Sequence, residues 1–320
     1  MGLLSIIIPI YNVEHYLRRA LESVLAQSYK DLEILCVESE SPDKCGAILE
    51  EYAKKDNRIK VFHKLNEGVS SSRNYCLARA NGEYVTFLDP DDWVEPNTYE
   101  IMIEAMESEK ADIAVCGFSK EWDNKRTVVE NIPLGSNVIT DYNEIMLHIF
   151  HRTVYPGFAG YIWNKVYRKN IISNIYFDES ISMAEDVSFN VEVAENARRT
   201  IIIRDALYHY YQRPNSLFHS ADIEKKEKIL DVYENMIARL QFAGLPESTI
   251  CYLKRFYVYH AGGLVKIAYK TGDIVRLQKF QNAIRKYLAV YEATSEGHDE
   301  WNQRMNDLLT DPGSVVAREG

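Results

Sequence analysis

The first ~120 residues alternate short apolar runs with segments of helical periodicity, and this alternation constrains the fold more than any other feature. Apolar runs of about four to eight residues that are rich in β-branched side chains are typical of buried strands. Apolar side chains that recur every third or fourth residue indicate helices. Strands that alternate with helices form a mainly parallel sheet flanked by helices, an α/β fold. We predict strands at Ser5–Ile10, Leu32–Val37, Ile59–His63, Tyr84–Leu88 and Ala111–Phe118.

The segments between and after these strands carry helix signals. Ser41-Pro42-Asp43 combines an N-cap residue, a proline at the first helical position and an acid in the first turn, so we predict that a helix starts there. The stretch Glu121–Ile139 is irregular and is a candidate hairpin. Other helices are predicted along the apolar face from Val13 to Leu25, from about Ser70, over Pro96–Ser108, from Asp141, and from Glu185 to Ala197.

Length, charge and cysteine content narrow the class of protein. At 320 residues the chain is too long for one small core, and amphipathic spacing beyond residue 220 predicts a helical C-terminal region. The net charge of −10 argues against a nucleic-acid binder, which would need a basic surface. Five scattered cysteines without a C-x-x-C pair favour a reducing, cytoplasmic setting. No apolar run approaches the ~20 residues of a membrane span, so any membrane contact is expected to be peripheral, at the inner face.

The most informative residues follow the predicted strand Tyr84–Leu88, where the chain reads Asp89-Pro90-Asp91-Asp92. Clustered carboxylates at a strand end are unfavourable unless a cation or a cationic ligand is present. Oxygen ligands at this spacing suit Mg²⁺ or Mn²⁺ that carries a substrate diphosphate. The alternative is a plain turn, because Asp and Pro are also common in turns and caps.

Two further strand ends are predicted to meet these acids, because ligands bind beyond the carboxyl ends of parallel strands. The first strand ends in Pro9-Ile10-Tyr11-Asn12, and the second ends in Glu38-Ser39-Glu40-Ser41. These strand ends supply an aromatic ring, polar side chains and a carboxylate cluster. Such a set of groups suits the binding of a base, a ribose and a metal-bound diphosphate. Arg73, after the third strand, adds a cation that can pair with phosphate. The chain has neither G-x-x-x-x-G-K-[ST] nor G-x-G-x-x-G, so P-loop and dinucleotide folds are not supported.

Five motifs resemble, in order, those of family-2 glycosyltransferases: S-I-I-I-P-I-Y-N, N-E-G-V-S-S-S-R-N, G-E-Y-V-T-F-L-D-P-D-D-W, Y-I-W-N-K-V-Y-R-K and A-E-D-V-S-F-N. This resemblance covers about residues 4–216. It implies the GT-A nucleotide-diphospho-sugar transferase fold, a nucleotide-sugar donor that is usually UDP-linked, a divalent cation (Mn²⁺ or Mg²⁺) and an inverting transfer. It also implies a glycosyltransferase domain at 1–219, with a nucleotide-binding half at about 1–118 and an acceptor half at about 119–219, followed by the helical region 220–320.

The resemblance also implies roles for individual residues. Asp91 is the implied metal ligand, Asp89 is an implied ligand of the ribose or the metal, and Asp92 is expected only to cap the following turn. Asp186, beside Glu185, matches the carboxylate that acts as general base. We therefore expect the donor to contact Pro9, Tyr11, Glu38, Ser39, Asn66, Arg73, Asp89 and Arg213.

The acidic pair Glu185-Asp186 has chemistry that suits catalysis, since a carboxylate within hydrogen-bond reach of an acceptor hydroxyl can take its proton. The alternative is that acids simply favour a helix N-terminus. Trp163 and Lys165 lie in an aromatic stretch that suits contact with an acceptor sugar. The alternative for Trp163 is packing in the core, and the alternative for Lys165 is an ion pair with a nearby acid. Arg213 begins a segment through Ser216 that we predict to close over the diphosphate.

One segment departs from the family pattern. After its second strand the family commonly reads V-D-D-G-S-T-D, whereas this chain reads V-E-S-E-S-P-D from Val37. Glu38 keeps a carboxylate on a longer side chain, Ser39 lacks the second carboxylate, and Glu40 replaces a glycine. These positions contact the donor base in the family, so the identity of that base stays open.

We therefore predict a hexosyl-type, inverting glycosyltransferase that acts on a carbohydrate or lipid-linked acceptor in cell-surface polysaccharide synthesis. Two alternatives remain open. One is a non-catalytic nucleotide-sugar-binding or scaffold protein, which the altered segment Glu38–Ser41 motivates. The other is a metal-dependent nucleotidyltransferase, for which the Gly-rich, Lys-bearing signature expected at the first strand is missing.

Overall fold

The computed structural model describes residues 2–129, 137–151, 160–181, 183–213, 223–294 and 299–319. The chain divides into two compact units. Unit 1 comprises Met1–Ser180 and Glu185–Ser216, and unit 2 comprises Ile181–Ala184 and Leu217–Gly320. All residues that the sequence predicts to form the site belong to unit 1. The division of this unit into a nucleotide-binding half and an acceptor half stays a prediction.

One sheet of ten strands forms the centre of unit 1. Its strands are β1 (Leu4–Ile10), β2 (Leu32–Glu38), β3 (Ile59–His63), β4 (Tyr84–Phe87), β5 (Trp93–Val94), β6 (Ile113–Trp122), β7 (Lys125–Val129), β8 (Val138–Ile139), β9 (Lys165–Arg168) and β10 (Thr200–Tyr211). The order is β3-β2-β1-β4-β9-β6-β10-β5, with β7 beside β6 and β8 beside β10. Every residue of β1, β2 and β4 is buried, as expected for strands covered on both faces.

Two parallel groups make up the core of this sheet. β3, β2, β1 and β4 run parallel, and so do β6 and β10. β9 lies between the two groups and is antiparallel to β4 and to β6. The predicted α/β class is confirmed, whereas β9 is an inserted strand that the sequence did not predict. The candidate hairpin is confirmed for β6 and β7, and residues 130–136 of that stretch lie outside the described residues.

Helices flank the sheet in unit 1 and form all regular structure described in unit 2. In unit 1 they are α1 (Glu14–Leu25), α2 (Cys45–Lys55), α3 (Val69–Leu77), α4 (Thr98–Glu109), α5 (Tyr142–Phe150), α6 (Lys169–Ile172) and α7 (Glu185–Asn196). In unit 2 they are α8 (Ile223–Phe242), α9 (Glu247–Thr271), α10 (Ile274–Thr294), α11 (Asp299–Thr310) and α12 (Pro312–Glu319). Within the described ranges, no helix is both long and apolar enough to cross a lipid bilayer.

The helix start predicted at Ser41 is wrong, because α2 begins at Cys45. The Ser41 hydroxyl instead accepts a hydrogen bond from the backbone N–H of Asn12 at 2.7 Å and donates one to Asp43 at 2.6 Å. Asp43 accepts from the N–H of Cys45 at 3.0 Å and so serves the first turn of α2. Ser41 therefore ties the loop after β1 to the loop after β2, a tertiary contact that a local capping pattern does not reveal.

The register between β10 and β6 is irregular. Ile203–Tyr208 of β10 runs alongside Cys116–Phe118 of β6, so five residue steps on one strand match two on the other. Such a bulge bends the strand and re-aims the side chains that follow it. Gly117 lies opposite the bulge, where a Cβ atom would sit 2.8 Å from the carbonyl oxygen of Val129 and 2.9 Å from that of Arg204. Only glycine fits this close approach of three strands.

Glu33 is a buried carboxylate in β2 that joins neighbouring elements. It accepts hydrogen bonds from the Ser5 hydroxyl and the Lys60 ammonium, each at 2.6 Å, and from the backbone N–H of Asn81. Burial alone would raise the pKa of Glu33, but the bonds from Lys60, Ser5 and Asn81 outweigh it and lower the pKa to about 2. The ionised form of Glu33 therefore stabilises the fold.

We expect Glu33→Gln to lower the free energy of unfolding by about 2 kcal/mol at pH 7, because the amide loses its ion pair with Lys60. The folded pKa lies below the ordinary value of 4.5, so this stabilisation is complete above pH 4.5 and is lost as the pH falls toward 2. The measurement is urea unfolding at pH 7 and at about pH 3. The difference in free energy of unfolding between wild type and variant should be smaller at the lower pH. The control is Glu104→Gln, at an exposed position of α4. An equal loss in both variants would contradict this role for Glu33.

Candidate active site

The carboxyl ends of β2, β1 and β4 lie side by side, because β1 pairs in parallel with β2 on one side and with β4 on the other. The loops after β1 and β2 are also joined directly, since the N–H of Ser39 donates to the carbonyl oxygen of Ile10 at 3.1 Å. Ligands of open α/β sheets bind at such an edge. The predicted convergence of the three strand ends is therefore confirmed.

Three carboxylates follow β4 at this edge, and Asp91 and Asp92 are buried. Asp91 is paired with Arg213, whose Nε lies 2.6 Å from Oδ2 of the carboxylate. Burial and the negative charge of Asp89 raise the pKa of Asp91 to about 6. Burial and the charges of Asp91 and Asp89 raise the pKa of Asp92 well above its ordinary value. The cluster therefore holds negative charge that its surroundings only partly offset, which suits a site that receives a cation.

The expectation that Asp92 only caps the following turn is wrong. Its Oδ2 accepts a hydrogen bond from the hydroxyl of Tyr208 at 2.6 Å, and its Oδ1 accepts one from the backbone N–H of Tyr211 at 2.8 Å. Both partners belong to β10, and Tyr208 lies 116 residues away in sequence. Asp92 therefore fastens the acidic loop to β10, a contact that turn chemistry does not indicate.

Arg73, predicted to reach a phosphate, is buried in α3 and held by two carboxylates. Its Nη2 donates to Oδ1 of Asp89 at 3.2 Å, and its Nη1 donates to Oε1 of Glu185 at 2.8 Å. The guanidinium also lies 5.3 Å from the ring centroid of Phe177. Burial alone would lower the pKa of Arg73, but the charges of Asp89 and Glu185 outweigh it and raise the pKa. Arg73 thus connects the acid after β4 with the acidic pair of α7.

Glu185 and Asp186 form the first turn of α7, where the helix dipole favours negative charge. Oδ1 of Asp186 accepts from the N–H of Val187 at 2.8 Å, and the residue is partly exposed. One turn further, the Oδ1 of Asn190 accepts from the hydroxyl of Tyr167 in β9 at 2.8 Å. The helix that carries Asp186 is therefore anchored to the sheet close to the buried arginine.

Glu38 and Ser39, predicted to contact the donor, are buried at the end of β2. Nδ1 of His63 lies 2.9 Å from Oε2 of Glu38, and the other carboxylate oxygen accepts from the N–H of Ser41. The hydroxyl of Ser39 shares a hydrogen bond of 2.9 Å with that of Ser72. The segment that departs from the family pattern therefore begins with two side chains that are engaged with β3, α3 and their own loop.

Three other residues predicted to contact the donor differ in their exposure. Pro9 lies within β1 and is buried, so it contributes shape without a polar group. Tyr11 is 48% exposed beyond the end of β1. Asn66 is exposed, and its Oδ1 accepts from the N–H of Gly68 at 3.2 Å, which shapes the turn into α3. Of the three, Tyr11 offers an accessible ring to a ligand at this edge.

Trp163 and Lys165, predicted to line an acceptor pocket, are both buried. The ring of Trp163 stacks on those of Tyr161 and Tyr208, with centroids 4.6 and 4.4 Å away. Nζ of Lys165 donates to the carbonyl oxygen of Tyr161 and to Oδ1 of Asn164. The structure therefore favours packing over acceptor contact for these two side chains, because neither presents its functional group at the surface.

Sequence reasoning missed a stack of side chains beside the acidic loop. The guanidinium of Arg19, in α1, lies 3.7 Å from the ring centroid of Trp93, and its Nη2 donates to the carbonyl oxygen of Asp91 at 2.8 Å. The Trp93 ring stacks in turn on His209, with centroids 4.8 Å apart. Arg19 is 72 residues from Asp91 and is not on the predicted apolar face of its helix, so its local sequence carried no signal of this contact.

The oxygen donors after β4 fit a divalent cation. Asp91 and Asp89 supply two carboxylates, and Mg²⁺ or Mn²⁺ in such sites completes its coordination with water and substrate phosphate. No group of three or more His, Cys, Asp or Glu side chains in the described part of the chain is arranged to hold a metal by itself.

Comparison with known proteins agrees with this geometry. Residues 5–171 match the family model described as Glycosyl transferase family 2. The chain is 38% identical over 219 residues to the uncharacterized glycosyltransferase EpsJ of Bacillus subtilis (strain 168), a match that covers 67% of this chain and 62% of EpsJ. It is 30% identical over 284 residues to the putative glycosyltransferase EpsH of the same organism, covering 87% of this chain and 81% of EpsH.

A solved structure shows the same fold. S. aureus TarS 1–349 in complex with UDP-GlcNAc aligns with a TM-score of 0.70 and 21% sequence identity, over 99% of this chain and 92% of that chain. At this level of identity the likeness concerns the fold alone. The GT-A fold implied by the five sequence motifs is therefore confirmed.

Proposed function

The chain belongs to glycosyl transferase family 2, and we propose that it transfers a sugar from a nucleotide-diphosphate sugar to an acceptor hydroxyl. One observation carries this proposal: Arg73 connects Asp89, after β4, with Glu185 at the start of α7. The loop that we propose to hold a metal-bound diphosphate is thus hydrogen-bonded, through Arg73, to the start of the helix that carries Asp186. Glycosyl transfer needs a bound diphosphate and a proton acceptor next to each other.

Asp91 and Asp89 are the residues that we propose to hold a divalent cation with the donor diphosphate. When bound, the cation neutralises the charge that develops on the diphosphate as the sugar leaves. The support is the position of two carboxylates on one loop at the edge of the sheet, and the raised pKa of Asp91, which follows from burial first and from the charge of Asp89 second. Asp92 holds the loop in place through β10.

Asp186 is the proposed general base of a single displacement that inverts the anomeric carbon. The acceptor oxygen attacks the anomeric carbon and forms a new bond to it. The bond between that carbon and the phosphate oxygen of the donor breaks, and its electron pair stays on the departing nucleoside diphosphate. The hydroxyl proton passes to the Asp186 carboxylate. The partial exposure of Asp186 on an anchored helix supports this role. Glu185 is held by Arg73, so we propose that it positions the helix start rather than taking a proton.

A UDP-sugar is the donor that we propose, and cell-surface polysaccharide synthesis at the inner membrane face is the proposed setting. The fold neighbour TarS was solved with UDP-GlcNAc. The setting rests on the family resemblance of the motifs. Both carboxylate oxygens of Glu38 are engaged within the protein, so the choice of base is the part of this proposal that most needs measurement.

We expect the purified protein to release a nucleoside diphosphate from at least one nucleotide-sugar when Mn²⁺ or Mg²⁺ is present, and not when the metal is chelated. The test is a panel of UDP-, GDP- and dTDP-sugars, each with Mn²⁺, Mg²⁺ or EDTA. If no donor is turned over while UDP with Mn²⁺ still raises the melting temperature, the protein binds donors without catalysis. Release of pyrophosphate from a nucleoside triphosphate would identify a nucleotidyltransferase and refute glycosyl transfer.

A further inference from the structure

Each candidate metal ligand after β4 is paired with its own arginine. Asp89 is paired with Arg73 at 3.2 Å, and Asp91 is paired with Arg213 at 2.6 Å. Both carboxylates thus carry a monovalent cation at the place where we propose a divalent one. The two arginines differ in burial and in the number of their partners, and this difference indicates which pair can open.

Arg73 is a fixed partner. Its side chain is 6% exposed, it donates to Glu185 as well as to Asp89, and it lies against the ring of Phe177. Moving Arg73 away would leave two carboxylates without their cation inside the protein, which is costly. Asp89 therefore keeps its arginine when a ligand binds.

Arg213 is an exchangeable partner. Its side chain is 24% exposed, and Asp91 is its only carboxylate partner in the described part of the chain. Its contact with Tyr16 is loose, since the guanidinium carbon lies 5.8 Å from the centroid of that ring. The guanidinium can leave the buried Asp91 carboxylate when a divalent cation takes its place, because the carboxylate is then not left uncompensated and no second carboxylate loses its partner.

We propose that Arg213 occupies the cation position at Asp91 until a divalent metal displaces it, and that the displaced guanidinium then pairs with the donor diphosphate. The pairing of Arg213 with the diphosphate, the second half of this inference, rests on the proposed function. The displacement of Arg213 from Asp91, the first half, involves only these two residues and the metal. Arg213 therefore lowers the affinity for the metal when no donor is bound, and raises the affinity for the donor diphosphate once the metal is bound. One substitution should consequently change the two affinities in opposite directions.

The test is calorimetric titration of the full chain with Mn²⁺ alone, at low ionic strength. We expect Arg213→Gln to bind Mn²⁺ about tenfold more tightly than wild type, equivalent to about 1.4 kcal/mol, because the competing cation is gone. Arg213→Lys keeps the charge and should stay within about threefold of wild type. The control is Arg79→Gln, which removes an exposed arginine that stacks on Tyr75 away from the acidic loop.

Equal or weaker binding of Mn²⁺ by Arg213→Gln would overturn the proposal, and so would an equal gain in Arg79→Gln, since that would reflect net charge alone. A second titration uses UDP with saturating Mn²⁺, where Arg213→Gln should bind about tenfold more weakly than wild type. Unchanged UDP affinity would overturn the second half. If wild type binds no Mn²⁺, the exchange is refuted together with the metal role of Asp91, whereas turnover of a nucleotide-sugar in EDTA would leave glycosyl transfer standing.

Discussion

Asp186→Asn is expected to reduce the rate of sugar transfer by a factor of about 10² to 10⁴ while leaving the affinity for nucleotide unchanged. The amide has the shape of the carboxylate and can still accept the hydrogen bond from the N–H of Val187, so the start of α7 is preserved. An amide cannot take the proton of the acceptor hydroxyl, and general-base catalysis typically contributes that factor. The measurement is kcat with the donor identified by the nucleotide-sugar panel, together with calorimetry for the nucleoside diphosphate.

The matched control for this variant lies on the same helix. Glu195→Gln removes one negative charge from an exposed position of α7, nine residues from Asp186, and should leave kcat within about twofold of wild type. A variant Asp186→Asn that retains full activity would refute the general-base assignment. Loss of nucleotide binding in parallel with kcat would instead indicate that Asp186 supports the donor site.

Asp91→Asn is expected to abolish metal-dependent transfer and to weaken Mn²⁺ binding, without lowering the melting temperature. Burial and the charge of Asp89 raise the pKa of Asp91 to about 6, so ionising this carboxyl costs more free energy in the folded protein than in the unfolded chain. A folded pKa above the ordinary 3.8 means that the carboxylate destabilises the fold as the pH rises past that value. Replacing it by a neutral amide removes this cost, and activity and stability should therefore change independently.

Calorimetry with Mn²⁺, thermal unfolding at pH 7 and the transfer assay together test this prediction. Asp31→Asn, at an exposed position before β2, is the control for loss of one acid and should match wild type in all three measurements. Undiminished transfer by Asp91→Asn would remove Asp91 from the metal site. A large fall in melting temperature would show that the carboxylate has a structural role like that of Asp92.

Most of the fold could be predicted because its signals are local. The runs at β1, β2 and β4 are buried on both faces, and uninterrupted apolar sequence indicates such strands directly. β9 escaped prediction because its four residues, Lys165–Arg168, are too few to show a period. Its placement between β4 and β6 depends on pairing with strands far away in sequence.

The candidate site could be predicted only where it follows from strand ends. The convergence of the loops after β1, β2 and β4 is a property of parallel sheets and needs no knowledge of side-chain contacts. Arg73 lies 112 positions before its partner Glu185 in the sequence, so no local pattern encodes this bridge. The burial of Lys165 was also unpredictable, because lysine is rarely buried and its hydrogen-bond partners are set by the chain path.

The bulge in β10 makes the site more sensitive to chain length than to composition. A regular register with β6 would place Asp205 opposite Phe118, but the bulge places Tyr208 there, three residues further along, and Tyr208 is the residue that donates to Asp92. Side chains alternate between the faces of a strand, so deleting a single residue between Ile203 and Tyr208 would turn the tyrosine to the opposite face. Substitutions within Arg204–Leu207 leave this alternation unchanged. A library of variants should therefore tolerate many replacements at the exposed Arg204 and Asp205 and few single-residue insertions or deletions in the segment.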